Sequence, residues 1–387
     1  MKKIASVVLF LGVCLLAAAQ KIDYSAAFEY VFADYEYQAS ESCFDRSHTL
    51  HALRLSPEVG LTVAQSPAVF HRVNVGVDIF KQMGEGVQNA GLFQEVLAYY
   101  NIEARLRNGG SISGYAGVFP RRYGNRSACL FSLYDSEMLY LDPNVEGLMF
   151  SYNVPGRLES EFILDWQGMF GNRSDLSRRE IIRFMGVGSW CFADRLSLGW
   201  AASFLHHASS PLRKNIVDVI TLNPRLEWEP RTALDVFRLE LGALVSYQCD
   251  RVVSMDPVFP AGVLARQAAG KWGLRLDNRF YWGADQAPFY DRAYIGEEYA
   301  RNVYYCEPGF RMPEQTGWAD WLSVVYSPNL SRVLKLELAL TAQFGPPSEQ
   351  LYIYTFRGWR PTFRLSLDLD ALRPRPQRPQ PLRGYNM

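Results

Sequence analysis

The segment from Leu334 to Phe344 reads LKLELALTAQF and alternates between two kinds of side chain. Leucine, alanine or phenylalanine occupies every even-numbered position, whereas Lys335, Glu337 and Gln343 are among the odd-numbered ones. Successive side chains of a β-strand point to opposite faces, so this segment predicts a strand with one apolar and one polar face. Soluble strands are usually about 5–6 residues long. This one is longer, which suits a tilted strand that crosses a membrane.

The same alternation recurs along most of the chain and predicts about sixteen strands, an even number as single-chain bacterial barrels require. The segments 216–229 and 260–268 alternate least clearly, and losing one hairpin would leave about fourteen strands. The strands are predicted at residues 24–37, 48–63, 69–81, 93–107, 111–120, 145–154, 157–169, 178–192, 194–206, 216–229, 234–248, 260–268, 271–283, 316–327, 332–344 and 351–370.

The connections between these strands alternate in length. Those after odd-numbered strands are mostly long, such as 121–144 and 284–315, whereas those after even-numbered strands are tight, such as Pro155-Gly156 and Ala269-Gly270. Long loops at one end and short turns at the other are typical of outer-membrane barrels. The sequence therefore predicts an all-β fold, an up-and-down antiparallel transmembrane β-barrel over residues 20–371.

Both ends of the chain differ in composition from the predicted barrel. Two lysines precede an apolar run over residues 4–16, and three alanines follow it at 17–19. This pattern predicts a signal peptide over residues 1–19 and therefore export from the cytoplasm. Residues 372–387 are rich in proline and arginine, which predicts an extended periplasmic tail because proline fixes φ and lacks an N–H donor.

The composition excludes several classes of protein. The 387 residues include 40 basic and 40 acidic side chains. This balance gives no sign of a basic surface that would bind nucleic acid. Outside the N-terminus no apolar run reaches the roughly 18 residues of a membrane-spanning helix. The cysteines that remain after the signal peptide form no CxxC pair, so we predict neither a metal site nor a cofactor, and their disulfide pairing stays open.

Four segments carry a family resemblance: Leu55–Leu61 (LSPEVGL), Gly76–Phe80 (GVDIF), Gly117–Arg122 (GVFPRR) and Leu164–Gly168 (LDWQG). With them the chain resembles porin-like outer-membrane β-barrels of Gram-negative bacteria. The resemblance implies an outer-membrane location, contact with membrane lipid and the outer-membrane assembly machinery, and passive diffusion of small solutes. Many such barrels end on an aromatic residue, whereas this chain continues past Leu369 into the proline-rich tail.

If the apolar faces meet lipid, the polar faces line the lumen of the barrel. Basic and acidic residues are balanced on those faces, which predicts a hydrogen-bonded wall with weak ion selectivity; alternatively, they form salt bridges in the wall without a direct role in transport. The predicted pore-lining residues are Arg105, Arg238, Arg275, Arg279, Lys335 and Arg364 together with Glu103, Glu159, Glu161, Asp165, Glu240, Asp277, Glu337 and Asp368.

The connection 121–144 follows the fifth predicted strand. In general porins the loop at this position folds inward and narrows the pore, so the resemblance implies a constriction here. The predicted constriction residues are Arg121, Arg122, Asp135, Glu137 and Asp142. An ordinary surface loop is the alternative.

Signatures of catalysis are missing from the sequence. No GxSxG, P-loop or HExxH motif occurs, and His206 and His207 are adjacent in a strand, so they point to opposite faces. We therefore predict a porin-like channel and not an enzyme. The alternatives are a closed barrel that serves as a scaffold or displays its loops to a partner, a barrel lipase, and a secreted sugar-binding β-protein.

Overall fold

The computed structural model describes residues 21–37, 47–84, 93–124, 143–168, 179–212, 214–252, 254–286, 310, 312, 316–347 and 355–369. The predicted signal peptide, the proline-rich tail and Cys43, Cys129 and Cys306 lie outside these residues, so predictions about them remain predictions. Within the described ranges, Cys191 and Cys249 are free thiols.

The described residues form seventeen β-strands. The strands are β1 Lys21–Tyr37, β2 His48–Ser66, β3 Val69–Gln82, β4 Phe93–Arg105, β5 Ser111–Pro120, β6 Asn144–Val154, β7 Leu158–Gly168, β8 Ile181–Ala193, β9 Leu196–His207, β10 Val217–Trp228, β11 Val236–Asp250, β12 Ser254–Val258, β13 Ala261–Lys271, β14 Leu274–Ala284, β15 Thr316–Tyr326, β16 Leu334–Phe344 and β17 Phe356–Asp368. No helix in the described part of the chain has the length and hydropathy needed to cross a membrane.

The strands form one closed antiparallel sheet. Each of the described strands pairs with its neighbours in the chain, except that β12 and β13 do not pair with each other, and β1 also pairs with β17, where Phe32 lies opposite Phe363. Both β12 and β13 pair with β11, so they are two parts of one wall strand that is interrupted before Ala261. Pro260 explains the interruption, because proline has no N–H for the ladder. The wall therefore has sixteen strand positions, as predicted, and the fourteen-strand alternative is wrong.

The two ends of the barrel differ as the connection lengths predict. One end has tight turns such as 194–195 and 272–273, and the other has long connections such as 121–143 and 285–315. Trp272, at φ 55°, and Gly273, at φ 81°, form a two-residue turn, which suits the twist of a hairpin. For this reason β14 begins at Leu274, three residues later than the alternation predicts.

The barrel is inverted relative to a soluble protein, with its apolar side chains outside. On β16, Leu338 and Leu340 are 39% and 44% exposed, whereas Glu337 and Gln343 are 9% and 4% exposed. In a closed sheet all ladder groups are paired, so a barrel with this surface can lie in hydrocarbon. The chain is therefore a transmembrane β-barrel of the kind that spans outer membranes.

Two neighbouring residues of β16 test this assignment of faces. We expect Leu338→Arg to lower the free energy of unfolding by about 2–4 kcal/mol, because it places a charge near the membrane midplane. Glu337→Gln changes the lumen side and should cost far less. Reversible denaturation in lipid vesicles measures both. Equal losses of stability in the two variants would contradict the assignment.

Candidate functional site

The lumen is the candidate functional site, and its surface consists of the inward faces of the strands. All the residues predicted to line the pore lie on these faces, as the register of the sheet shows; for example, Asp165 on β7 lies opposite Arg183 on β8, and both are almost fully buried. Their role in transport stays a prediction.

Many charges of this inner wall are paired with each other. Arg72 lies 2.9 Å from Glu103, and Arg275 lies 2.7 Å from Asp277. Glu337 lies 3.8 Å from Arg364 on the neighbouring strand. Such pairs reduce the net field of the wall, and a charge without a partner would be costly away from water.

A network of arginine and glutamate side chains joins β10 and β11 near the end with tight turns. Arg225 lies 2.7 Å from Glu227, and Arg238 lies 3.1 Å from Glu227 and 2.6 Å from Glu240. Just past β10, burial raises the pKa of the Glu229 carboxyl; Arg238 opposes this shift, whereas Glu227 and Glu240 add to it. Glu229 therefore takes up a proton at a higher pH than an ordinary glutamate.

The residues that follow β5 turn into the lumen. Residues 121–124, here called the inward segment, begin with a single 3₁₀ turn over Arg121–Tyr123. The Arg121 guanidinium donates to Asp165 on β7 at 2.6 Å, and the Arg122 guanidinium donates to Glu58 on β2. Because β2 and β7 lie on opposite sides of β5 in the wall, these two contacts hold the segment inside the barrel.

Glu58 is the main acceptor for the inward segment. Besides Arg122, it receives hydrogen bonds from the Tyr99 hydroxyl at 2.5 Å and the Tyr123 hydroxyl at 3.0 Å. The Tyr123 ring stacks on Tyr115 with centroids 5.6 Å apart. Sequence reasoning missed this cluster, although Glu58 shares the polar face of its strand with Arg54.

The acidic half of the predicted constriction cannot be placed. Asp135, Glu137 and Asp142 lie outside the described residues, so their position in the pore stays a prediction. Arg121 and Arg122 point inward as a constriction requires, but both contact carboxylates of the barrel wall.

A second connection also sends side chains into the lumen. Phe310, from the connection between β14 and β15, is fully buried, and its ring lies 5.1 Å from Tyr281 and 5.2 Å from Trp321. Gln286, at the start of this connection, donates to the Tyr281 hydroxyl at 2.7 Å and accepts from Ser246 on β11 at 3.0 Å. These contacts lie across the barrel from β5.

The inner wall carries charges of both signs in different parts of the barrel. Near the inward segment it carries the carboxylates of Glu58, Glu161 and Asp165. Across the barrel, Arg266 and Arg279 lie directly opposite each other on β13 and β14. The Arg279 guanidinium lies 4.0 Å from the centroid of the Trp321 ring, an arrangement that stabilises the cation through the π face.

Apolar side chains fill part of the lumen. One buried cluster includes the inward-facing Met149, Ile163, Met185 and Leu244, and it extends to Phe310. Exposures of 1–3% for the four wall residues show close packing inside the barrel. The alternation pattern did not reveal this cluster, because its members share inward faces with charged residues such as Asp165 and Arg183.

The two adjacent histidines do not form one site. His206 lies on the outer face, where its Nδ1 is 2.7 Å from Asp218. His207 is fully buried on the opposite, inward face. This is the arrangement that the sequence predicts for neighbours in a strand.

Comparison with known proteins supports the fold. No family model matches the chain, and no curated protein matches it. Among solved structures, the outer-membrane protein OmpT of Vibrio cholerae, in a form that lacks loop L8, is similar with a TM-score of 0.50 and 6% identity over 89% of this chain and 99% of that one. An anion-selective porin from Comamonas acidovorans matches with a TM-score of 0.49 and 10% identity over 90% of this chain and 98% of that one. OprB of Pseudomonas putida matches with a TM-score of 0.49 and 10% identity over 92% and 96%.

The similarity to OmpT, at this level of identity, concerns the fold alone. It agrees with the closed sheet and the apolar outer surface described above. The chain therefore has the fold of a porin-like outer-membrane β-barrel, as its sequence predicts.

The Glu58 contacts provide a test of the inward segment. Hydrogen bonds to a charged group contribute about 1.5–3 kcal/mol each, so Glu58→Ala should loosen the segment even though Arg121 keeps its contact with Asp165. We expect trypsin to cleave after Arg121 or Arg122 at least about ten times faster in the folded variant, since about 1.4 kcal/mol corresponds to a factor of ten.

Glu103→Ala is the matched control, because it removes a lumen carboxylate that forms an ion pair with Arg72 on β3. Digestion of folded protein in detergent micelles, followed by mass spectrometry of the fragments, measures the rate. Equal rates in Glu58→Ala and the unmodified protein would show that Glu58 does not hold the segment.

Proposed function

We propose that the protein is an outer-membrane channel for the passive diffusion of small solutes. The observation that carries this proposal is the closed barrel of sixteen strand positions with a charged, hydrogen-bonded inner wall. Barrels of about this size have room for an aqueous lumen unless something fills it, and a polar interior is the feature that water and polar solutes need.

The lumen is narrow in this proposal. The inward segment supports this, because its contacts with Glu58 and Asp165 keep the start of the β5–β6 connection away from the outer rim. The constriction consists of residues 121–144, with Arg121 and Arg122 at its base. We assign Asp135, Glu137 and Asp142, which lie outside the described residues, to the solute path.

The wall charges set a weak selectivity. The predicted pore-lining residues act mainly through paired groups, such as Arg275 with Asp277 and Arg238 with Glu240. The pairing leaves little net charge to exclude either cations or anions.

A closed barrel that acts as a scaffold is the second candidate. The buried apolar cluster favours it, because close packing around Met149, Ile163 and Phe310 occupies volume that a solute would need. Electrical recording separates the two candidates, since a scaffold folds normally but conducts no ions.

Catalysis is not part of this proposal. The separation of His206 and His207 on opposite faces supports the absence of a lipase site. We expect purified protein to release no fatty acid from phospholipid vesicles.

The location can be tested by fractionation. The protein should be recovered with outer membranes, and it should migrate differently on a detergent gel before and after boiling, because a closed β-barrel resists detergent. Recovery as a soluble periplasmic monomer would overturn the membrane assignment.

Single-channel recording in a planar bilayer tests the channel itself. We expect a steady open conductance, which should increase when residues 127–141 are deleted, because the deletion removes most of the constriction. The deletion keeps the inward segment and Pro143, whose carbonyl accepts a hydrogen bond from the Arg121 N–H at 2.8 Å. Loops tolerate such shortening better than strands do.

A deletion of equal length in the β14–β15 connection, over residues 290–304, serves as the comparison. If the β5–β6 connection forms the narrowest point, this second deletion should change the conductance less. Folded protein without any conductance would favour the scaffold. Conductance that is unchanged by the first deletion would show that the loop does not narrow the pore.

A further inference from the structure

The lipid-facing surface has one polar interruption. Gln267 on β13, Asn278 on β14 and Asp320 on β15 point outward, since they alternate with the buried or inward residues of their strands. Each lies at least four residues from either end of its strand. Among the described residues, no other carboxylate or amide faces outward so far from a strand end. We call these three residues the polar stripe.

The three side chains are neighbours in the sheet. Gln267 lies directly opposite Asn278, and Asp320 lies diagonally across from Asn278 on the next strand. Asn278 donates from Nδ2 to Asp320 Oδ1 at 2.5 Å. In the described part of the chain, the Gln267 side chain has no hydrogen-bond partner, and Asp320 accepts only this one hydrogen bond from a side chain.

The tilt of the strands orients the stripe along the membrane normal. Residues that lie directly opposite each other on successive strands form rows across the sheet. These rows rise toward the end with long loops as the strand number increases. One row, for example, runs from Phe28 in the middle of β1, through Leu55 and Ile79, to Phe93 at the long-loop end of β4. With a tilt of about 40° and strands about 4.8 Å apart, Asp320 lies about 8 Å above Asn278 and almost in line with it. Gln267 lies about 3 Å below Asn278.

This position is unfavourable for a single barrel in lipid. Hydrocarbon offers no hydrogen bonds to the second oxygen of Asp320 or to the Gln267 amide. Apolar side chains such as Leu276, Leu322 and Val324 surround the stripe and are exposed. The hydrogen bond between Asn278 and Asp320 satisfies only part of these polar groups, so a partner within the membrane would explain the rest.

The geometry points to a second copy of this chain as that partner, joined through the polar stripe about a twofold axis along the membrane normal. Such an axis brings the same surface of both copies together, with each residue at the same height. Asn278 has a second N–H that it can donate to Asp320 of the other copy, and that Asp320 has an oxygen free to accept it. The contact is reciprocal, and the two Gln267 amides can bond with each other.

The neighbouring surface suits close contact. On β13, Ala265 and Ala269 flank Gln267 on the outward face, and their small side chains allow two sheets to approach. A contact five strands wide and about 25 Å tall would cover about 600 Å² of each copy. The total of about 1,200 Å² lies at the lower limit for stable complexes.

Self-association of purified protein in lipid vesicles tests this inference. Two populations that carry different fluorophores are mixed, and energy transfer is followed as lipid dilutes the protein. We expect transfer for the unmodified protein. The variant with Asn278→Leu and Asp320→Leu should dissociate at a protein density at least about ten times higher, because it loses the reciprocal hydrogen bonds between Asn278 and Asp320 across the contact while keeping a lipid-compatible surface.

Ser160→Leu is the matched control, since it also replaces an outward polar residue with leucine but lies on β7, away from the stripe. It should associate like the unmodified protein. A shift in gel migration on boiling confirms that each variant is folded. Conductance recorded from the same samples shows whether a variant that loses association also loses channel activity.

Three outcomes would overturn the inference. If the unmodified protein remained monomeric at all densities, the partner of the polar stripe would be a different membrane protein and not a second copy. Equal association of the double variant would show that the stripe does not hold the copies together. Weaker association of Ser160→Leu to the same extent would show a general effect of surface hydrophobicity.

Discussion

The hydrogen bonding of the backbone in hydrocarbon is the constraint on which the rest of this structure depends. A strand in lipid cannot leave its N–H and C=O groups unpaired, so the sheet must close on itself. The pairing of β1 with β17 closes it, and it joins residues from the two ends of the chain, such as Tyr30 and Leu365. An interruption is possible only where a neighbouring segment continues the ladder, as β12 and β13 do together along β11.

Because the sheet is closed, the two faces of every strand contact different surroundings. The outer face meets lipid, and the inner face meets water, inward loops and charges on neighbouring strands. This explains why Glu337 is buried and Leu338 is exposed, although they are neighbours in sequence. It also explains why the lumen charges form networks such as that of Arg225, Glu227 and Glu240, because each strand has an inward neighbour on both sides within reach.

The sequence predicts the wall of the barrel well and its contents poorly. Alternation and turn length depend on local chain geometry, so sixteen strand positions and the two faces follow directly from the residues. The contact of Arg122 with Glu58 and the burial of Phe310 depend on how long connections return to the wall, which no local pattern records. Glu58 could have been assigned to the lumen from its strand, but not its role as an acceptor for three donors.

In the lumen and on the outer surface alike, a polar group away from water needs a hydrogen-bond partner. Inside the barrel, a carboxylate such as Asp165 is accommodated because a guanidinium, one backbone N–H and a side-chain amide reach it. On the lipid side Asp320 receives one amide hydrogen bond within the described chain, and its position lies well away from the strand ends where water is available. Asn278 interrupts an otherwise apolar face in the sequence, and the structure relates it to Asp320 by a register that alternation alone does not reveal. A polar residue that breaks the pattern of a lipid-facing strand therefore points to its hydrogen-bond partner, first on the neighbouring strand and then on whatever lies beside the barrel.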